Sequence, residues 1–233
     1  MARGPRVCVL LLAGGSGRRA GRSKLFVRAA GRSLLYHACR PFLATREVGG
    51  LVVVVPRGRG PAVTEELDDM GARRILAVVR GGATRHESSR AGLAALPPSC
   101  RVVLIHDAAR PFATPALIRR VIRGATEHGA CVPAVRVKDA TVRVEASGDL
   151  DAYLDRSALR ALQTPQGFRR EVLESAFAAA PVDDHADDAG LVLAAGGRVH
   201  LVEGEETNGK ITTAEELREA VARIEARWRK ETP

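Results

Sequence analysis

The sequence predicts an α/β fold, a Rossmann-like sandwich built on a mainly parallel sheet. Three observations carry this: short β-rich apolar runs recur along the chain, segments of helical period separate them, and the first run leads into a glycine-rich basic loop. Ligands in such sheets bind beyond the carboxyl ends of the strands, which is where that loop falls.

The apolar runs are Val7–Leu12, Leu51–Val55, Ile75–Val79, Val102–Ile105 and Ala130–Val135. The opening MARGPRVCVLLLA imitates a signal peptide, with basic residues ahead of an apolar stretch. That stretch is short and Arg18, Arg19, Arg22 and Lys24 follow it at once, so Val7–Leu12 reads as a buried first strand. Helices are expected over Ser33–Leu43, Pro61–Asp69, His86–Leu96 and Pro115–Glu127, several opening after a Ser or Thr that can cap them. The rhythm breaks at 139–156. Thr141-Val142-Arg143-Val144-Glu145 alternates like an exposed strand, Ser147-Gly148-Asp149 turns, and Asp151–Arg156 returns, which predicts a projecting β-arm. A two-stranded arm is marginal alone in water, so packing on a second subunit would stabilise it. Beyond the arm, Arg169–Ala180 and Asp187–Ala195 read as helices, Arg198–Val202 as a strand and Ala214–Trp228 as a closing amphipathic helix.

The 233 residues show no linker, so one domain over 1–233 is expected. With 45% apolar and 27% charged residues the composition is that of a globular chain, and no apolar run approaches the ~20 residues a bilayer requires. Cys8, Cys39, Cys100 and Cys131 have no metal-binding spacing, and Cys8 and Cys131 sit in apolar runs, which fits a reducing cytoplasm. The net charge of +9 raises nucleic acid as a partner, but aromatics are 3% and the arginines form no single tract. The excess reads as solvated surface, with part of it focused on an anionic small molecule.

Leu12-Ala13-Gly14-Gly15-Ser16-Gly17-Arg18-Arg19-Ala20, with Lys24 just beyond, is the most specific local signal. Glycines let backbone N–H groups approach an anion while the cations supply charge beside it, so the ligand expected is a nucleotide. The stretch matches the dinucleotide fingerprint formally, yet no acidic residue follows near Tyr36 to hold a ribose, and no Walker A lysine precedes Ser23. The second signal is His106-Asp107-Ala108-Ala109-Arg110-Pro111-Phe112, which sets Asp107 and Arg110 at a strand's carboxyl end. A carboxylate there can face a metal-bound triphosphate or orient a hydroxyl, and an arginine can fork onto a phosphate.

The loop with Lys24 resembles the signature of the sugar-nucleotidyltransferase superfamily, and with the HDAARP motif the resemblance narrows to the 2-C-methyl-D-erythritol 4-phosphate cytidylyltransferase family. Gly81-Gly82, Arg85 and Ser88 resemble its cytosine-recognising segment, Asp155-Arg156 and Gln163-Thr164-Pro165-Gln166 its arm and following motif, and Asn208-Gly209-Lys210-Ile211-Thr212 its late lysine motif. The resemblance implies a nucleotidyltransferase sandwich that transfers CMP from CTP to 2-C-methyl-D-erythritol 4-phosphate in non-mevalonate isoprenoid synthesis. It implies CTP contacts at Ala13, Gly14, Gly15, Gly82, Ser88, Asp107 and Ala108, and acceptor contacts at Asp107, Arg110, Thr141, Arg156 and Lys210. Arg19, Lys24, Arg156 and Lys210 would be the catalytic cations. A divalent cation, Mg²⁺, would be held mainly by the CTP phosphates, with no protein ligand set assigned. The family also implies a homodimer in which one subunit's arm, with Arg156, reaches the other's site. Three positions depart from the family pattern: Ala83, Ala140 and Ala186. Ribitol-5-phosphate cytidylyltransferases share the loop, the TPQ motif and the late lysine, but the HDAARP form favours the methylerythritol family.

His86 beside Glu87, and His185 among Asp183, Asp184, Asp187 and Asp188, could be read as an acid–base pair and a metal cluster. The spacing of the acidic group matches no metal motif, and carboxylates at a helix start complement its dipole, which is the reading preferred.

Overall fold

In the computed structural model, which describes residues 6–13, 24–68, 74–179 and 185–231, strand β1 (Val7–Leu12) lies inside an eight-stranded sheet. Its alternate side chains go to opposite faces, as a two-residue repeat requires. Val9, Leu11 and Ala13 enter the core on one side, and Cys8, Leu10 and Leu12 enter the core on the other. A strand covered on both faces must be apolar throughout, which is why VCVLLL carries no polar residue. Each large apolar side chain so buried stabilises the fold by about 1.5–3 kcal/mol.

After a small ribbon of β2 (Arg28–Ala29) and β3 (Arg32–Ser33), helix α1 (Leu34–Ala44) starts where Ser33 accepts the Tyr36 N–H. Strand β4 (Gly50–Val55), helix α2 (Gly60–Asp68), strand β5 (Ile75–Arg80) and helix α3 (Arg85–Ala94) follow. Next come β6 (Val102–Asp107), α4 (Pro115–His128) and β7 (Ala130–Arg136). α4 begins at the Thr114 cap with proline in its first turn, and ends at Gly129, whose φ of 88° a side chain would resist. β1 pairs in parallel with β4 and β6, and β4 with β5. Helices α1, α2 and α4 cover one face, and α3 covers the other together with α5 (Arg170–Ala179) and α6 (Asp188–Ala194).

The expected strand Val102–Ile105 runs two residues further, because Leu11 and Leu12 continue to pair with His106 and Asp107. Asp107 therefore ends the strand itself.

The arm forms as expected. β8 (Thr141–Val144) and β9 (Leu150–Leu154) make a separate antiparallel ribbon, turned at Gly148 with φ 96°. Val144, Leu150 and Tyr153 on it are 56%, 54% and 74% exposed, an apolar surface left open among the described residues.

Two strands of the main sheet have no counterpart in the sequence expectation. β10 (Arg160–Leu162) lies along β7, and β11 (Gln166–Arg169) inserts antiparallel between β6 and β7. The helix expected from Arg169 begins instead at Arg170. Arg169 stays in β11 and its guanidinium donates to the Thr126 carbonyl at the end of α4, at 2.7 Å. Gly167 permits the insertion, since a Cβ there would lie 2.7 Å from Val121 and 3.0 Å from Ala125 on α4. β12 (His200–Glu203) joins β7 in parallel, and α7 (Ala214–Glu231) packs Ala220 and Ile224 with Ala29, Leu34 and Ile211.

Candidate active site

The carboxyl ends of β1 and β6 lie side by side, and four charged groups from distant parts of the chain meet there. Asp107, the last residue of β6, accepts a hydrogen bond from Lys210 Nζ at 2.7 Å and lies 3.8 Å from Arg85 Nε. Burial would raise the Asp107 carboxyl, but Lys210 and Arg85 outweigh it and hold the group below its ordinary value. The carboxylate is thus ionised with two cations on it. Its side chain is 14% exposed while that of Lys210 is 46% exposed, so the ammonium faces the open side.

Arg85 opens α3 behind a capping box in which Thr84 and Glu87 cap each other's backbone. That box accounts for Glu87, whose carboxylate accepts the Thr84 N–H within it and the Ala83 N–H beside it, so it is not the partner of an acid–base pair with His86. Arg85 Nη1 ion-pairs with Asp188, which is fully buried at the start of α6. Burial pushes the Asp188 carboxyl up against the opposing pull of Arg85. Asp187 is the α6 cap and accepts the Gly190 N–H at 2.9 Å. The acidic pair is therefore a cap and a counter-ion. No cluster of three or more His, Cys, Asp or Glu suited to a metal occurs among the described residues. Asp183 and Asp184 lie outside them.

Gly82 precedes this box, and a Cβ on it would come 2.2 Å from the Glu87 Cβ. Ser88 is buried, donates to the Thr84 carbonyl at 2.9 Å and faces Gly81. Ala13 and Ala108 flank the ends of β1 and β6, but their N–H groups are spent on the Val54 and Leu12 carbonyls. Gly14, Gly15 and Arg19 lie outside the described residues. Lys24 opens the single turn Lys24–Phe26, with its side chain outside the described set.

Arg110 reaches from the turn after β6 to the Asn208 carbonyl, at 2.8 Å from Nη1, and burial lowers its pKa. The arm residues join none of this. Arg156 donates to the Lys138 carbonyl at 2.7 Å and Thr141 to the Asp139 carbonyl at 3.4 Å, both beside the arm's own base. Arg156 lines an open groove of about 740 Å³ with Arg136, Lys138 and Arg160.

The sequence named Asp107, Arg110, Lys210 and Arg85, and the fold brings them to one place. The sequence reads Asp188 as helix-start charge and does not foresee its contact with Arg85; His106 and Thr164 beneath Asp107 stand in its motifs without a role. No local pattern marks an aspartate as the counter-ion of an arginine 103 positions away.

The family model for "IspD: 2-C-methyl-D-erythritol 4-phosphate cytidylyltransferase" matches residues 7–226. The bifunctional enzyme IspD/IspF of Anaeromyxobacter dehalogenans (strain 2CP-C) is 45% identical over 231 residues, covering 97% of this chain and 59% of that protein. The chain thus spans little more than half the length of such bifunctional relatives. The 2-C-methyl-D-erythritol 4-phosphate cytidylyltransferase of Saccharopolyspora erythraea is 45% identical over 218 residues, covering 91% of this chain and 96% of that one. The crystal structure of the Thermus thermophilus enzyme of the same name superposes with a TM-score of 0.76 at 36% identity, covering 94% of this chain and 98% of that one. With the Asp107–Lys210 pair at the sheet's carboxyl edge and the family model spanning nearly the whole sequence, the chain belongs to the 2-C-methyl-D-erythritol 4-phosphate cytidylyltransferase (IspD) family.

Proposed function

We propose that this chain transfers CMP from CTP to 2-C-methyl-D-erythritol 4-phosphate, releasing pyrophosphate and forming 4-diphosphocytidyl-2-C-methyl-D-erythritol. The observation that carries the reading is the convergence of Asp107, Lys210, Arg85 and Arg110 at the carboxyl end of β6. A phosphate oxygen of the acceptor attacks the α-phosphorus, the new P–O bond forms opposite the departing pyrophosphate, and the P–O bond to the β-phosphate breaks. The acceptor phosphate is already ionised at neutral pH, so no protein nucleophile is required and the protein's task is positioning and charge stabilisation.

Arg19 and Lys24 would neutralise the triphosphate, Lys210 the acceptor phosphate, and Arg110 with Asp107 would orient the acceptor. Gly82 and Ser88 would lie against the base, with Ala13, Gly14, Gly15 and Ala108 along the nucleotide. Asp107 is the carboxylate suited to a hard cation here, and Mg²⁺ is usually bound through one or two carboxylates together with substrate phosphates, so the residues present fit a cation brought in by CTP. That cation would supply charge neutralisation on the phosphates. Thr141 and Arg156 lie apart from this cluster in the single chain, and the exposed apolar arm supports a homodimer in which they serve the partner's site. Four buried free cysteines support a cytoplasmic setting.

Pyrophosphate release tests the reading, measured with CTP and Mg²⁺ and either 2-C-methyl-D-erythritol 4-phosphate or ribitol 5-phosphate, then with ATP, GTP or UTP in place of CTP. Turnover with CTP and the methylerythritol acceptor is expected. Turnover with ribitol 5-phosphate alone would overturn the acceptor, and silence with every pair would overturn the enzymatic reading.

A further inference from the structure

Beneath Asp107 and Arg110 lies a closed ring of hydrogen bonds that the reaction chemistry does not require. His106 Nε2 bonds the Arg110 carbonyl at 2.9 Å, Arg110 Nη1 donates to the Asn208 carbonyl at 2.8 Å, and Asn208 Nδ2 donates to the Thr164 carbonyl at 2.8 Å. Thr164 Oγ1 closes the ring on His106 Nδ1 at 2.9 Å and also accepts the Asp107 N–H at 3.1 Å. His106 and Asn208 are fully buried and Thr164 nearly so. The ring ties together the end of β6, the segment before β11 and the loop that carries Lys210.

The ring fixes the state of the imidazole. A carbonyl can only accept, so Nε2 must carry a proton. A neutral imidazole with its proton on Nε2 has a bare Nδ1, to which the Thr164 hydroxyl donates while its oxygen accepts the Asp107 N–H. The groups around the ring are Phe42 on one face, with ring centroids 4.8 Å apart, and Asp107 and Arg110 along the chain. Asp107 carries Lys210 and Arg85 in turn. The imidazole is fully buried and its two nitrogens meet a carbonyl and a hydroxyl, with no carboxylate on either, a setting that favours the neutral ring.

We propose that His106 is a positioning residue for the acceptor half of the reaction: as the neutral Nε2–H tautomer it clamps the Arg110 carbonyl and, through the Thr164 hydroxyl, the Asp107 backbone. The role in catalysis rests on the function proposed above, whereas the tautomer does not.

Two substitutions separate the halves of the clamp. The amide nitrogen of glutamine falls near the place of Nε2, and the amide oxygen of asparagine near that of Nδ1. His106→Gln keeps a donor for Arg110, and His106→Asn keeps only the acceptor for Thr164. His106→Asn is expected to raise the KM for the acceptor about tenfold, the scale of one lost hydrogen bond, with the KM for CTP little changed, and His106→Gln to recover most of that affinity. Equal losses in both variants, affecting both substrates and tracking Tm, would reduce His106 to a structural role and overturn the proposal. ¹⁵N-edited imidazole spectra of the ligand-free protein, with His106 assigned from the signal that His106→Gln removes, should show the proton on Nε2. A proton on Nδ1 overturns the clamp whether or not the protein turns over CTP, and wild-type silence toward CTP with Nε2 protonated would fault the proposed reaction and leave the clamp standing.

Discussion

Replacing Asp107 by asparagine keeps the shape of the side chain at the end of β6 and removes its charge. In the folded protein that charge meets Lys210 at 2.7 Å and Arg85 at 3.8 Å. A hydrogen bond to a charged group contributes about 1.5–3 kcal/mol when well shielded. The Lys210 side chain is 46% exposed, so solvent screening reduces its share, and a stability loss of about 1 kcal/mol is expected. For a chain of 233 residues that is a fall in Tm of roughly 2–4 °C. The loss in activity should be far larger. Lys210 loses the anchor that aims it, and removing one preorganised electrostatic group from such a site costs ~3–4 kcal/mol, or about 10²–10³ in rate. The assay pairs pyrophosphate release under saturating CTP with a thermal melt of the same preparation. Two results would refute the reasoning. A variant turning over within about fivefold of wild type would show that Asp107 does not organise the reacting groups, because the expected effect is at least about twenty times greater. A collapse of Tm by more than about 10 °C would show that the pair is chiefly structural.

Lys24→Ala is expected to lose about 10²–10³ in kcat/KM while keeping its melting temperature, and near-normal turnover would remove Lys24 from the reaction. In the proposed homodimer, Arg156→Ala and Lys210→Ala chains, each nearly inactive alone, should recover about a quarter of wild-type activity when refolded together in equal amounts, because half the dimers would be mixed and each would hold one intact site. No recovery alongside a demonstrated mixed dimer would show that Arg156 serves its own subunit. His106 is held at a pKa of about 4 against an ordinary 6.5. Below pH 6.5 the unfolded chain takes up this proton and the folded one does not, so stability falls as pH drops from 6.5 through 4 and this contribution is flat above. The fall amounts to about 3 kcal/mol and should be missing from urea unfolding of His106→Gln, whose side chain does not titrate; an unchanged slope in the variant would assign the pH dependence elsewhere.

The strands most closely legible in the sequence include those buried on both faces. β1 and β4 are continuous apolar runs, and their ends match expectation to within a residue. The arm was legible for the opposite reason, since exposure gives clean alternation around a glycine turn. β11 was not. Its four residues are Gln, Gly, Phe and Arg, with one apolar side chain, Phe168, supplying the core contact. It is a strand because β6 and β7 offer it backbone partners on both sides, and a tertiary partner of that kind leaves no period in the strand itself. β10, at the edge of the sheet, is likewise held by a tertiary partner, β7, on one side.

The site divides in the same way. Asp107 and Arg110 could be named because they stand just beyond an apolar run whose end must open on the ligand side of the sheet. What could not be read is which charge holds which. Lys210 and Asp107 are 103 residues apart, as are Arg85 and Asp188, and each pair exists only because separate loops return to the same edge of the sheet. The pairing has a consequence for binding. Lys210 and Arg85 would otherwise repel each other across a partly desolvated site, and Asp107 between them makes their close approach stable before any phosphate arrives. Asp188, buried, holds that guanidinium at Nη1, away from the Nε that faces Asp107. Lys210 and Arg85 are therefore set in place by carboxylates of the protein, and in the proposed reaction an incoming phosphate would meet an array already ordered. This is the condition under which electrostatic stabilisation lowers a barrier without a reorganisation cost at the moment of transfer.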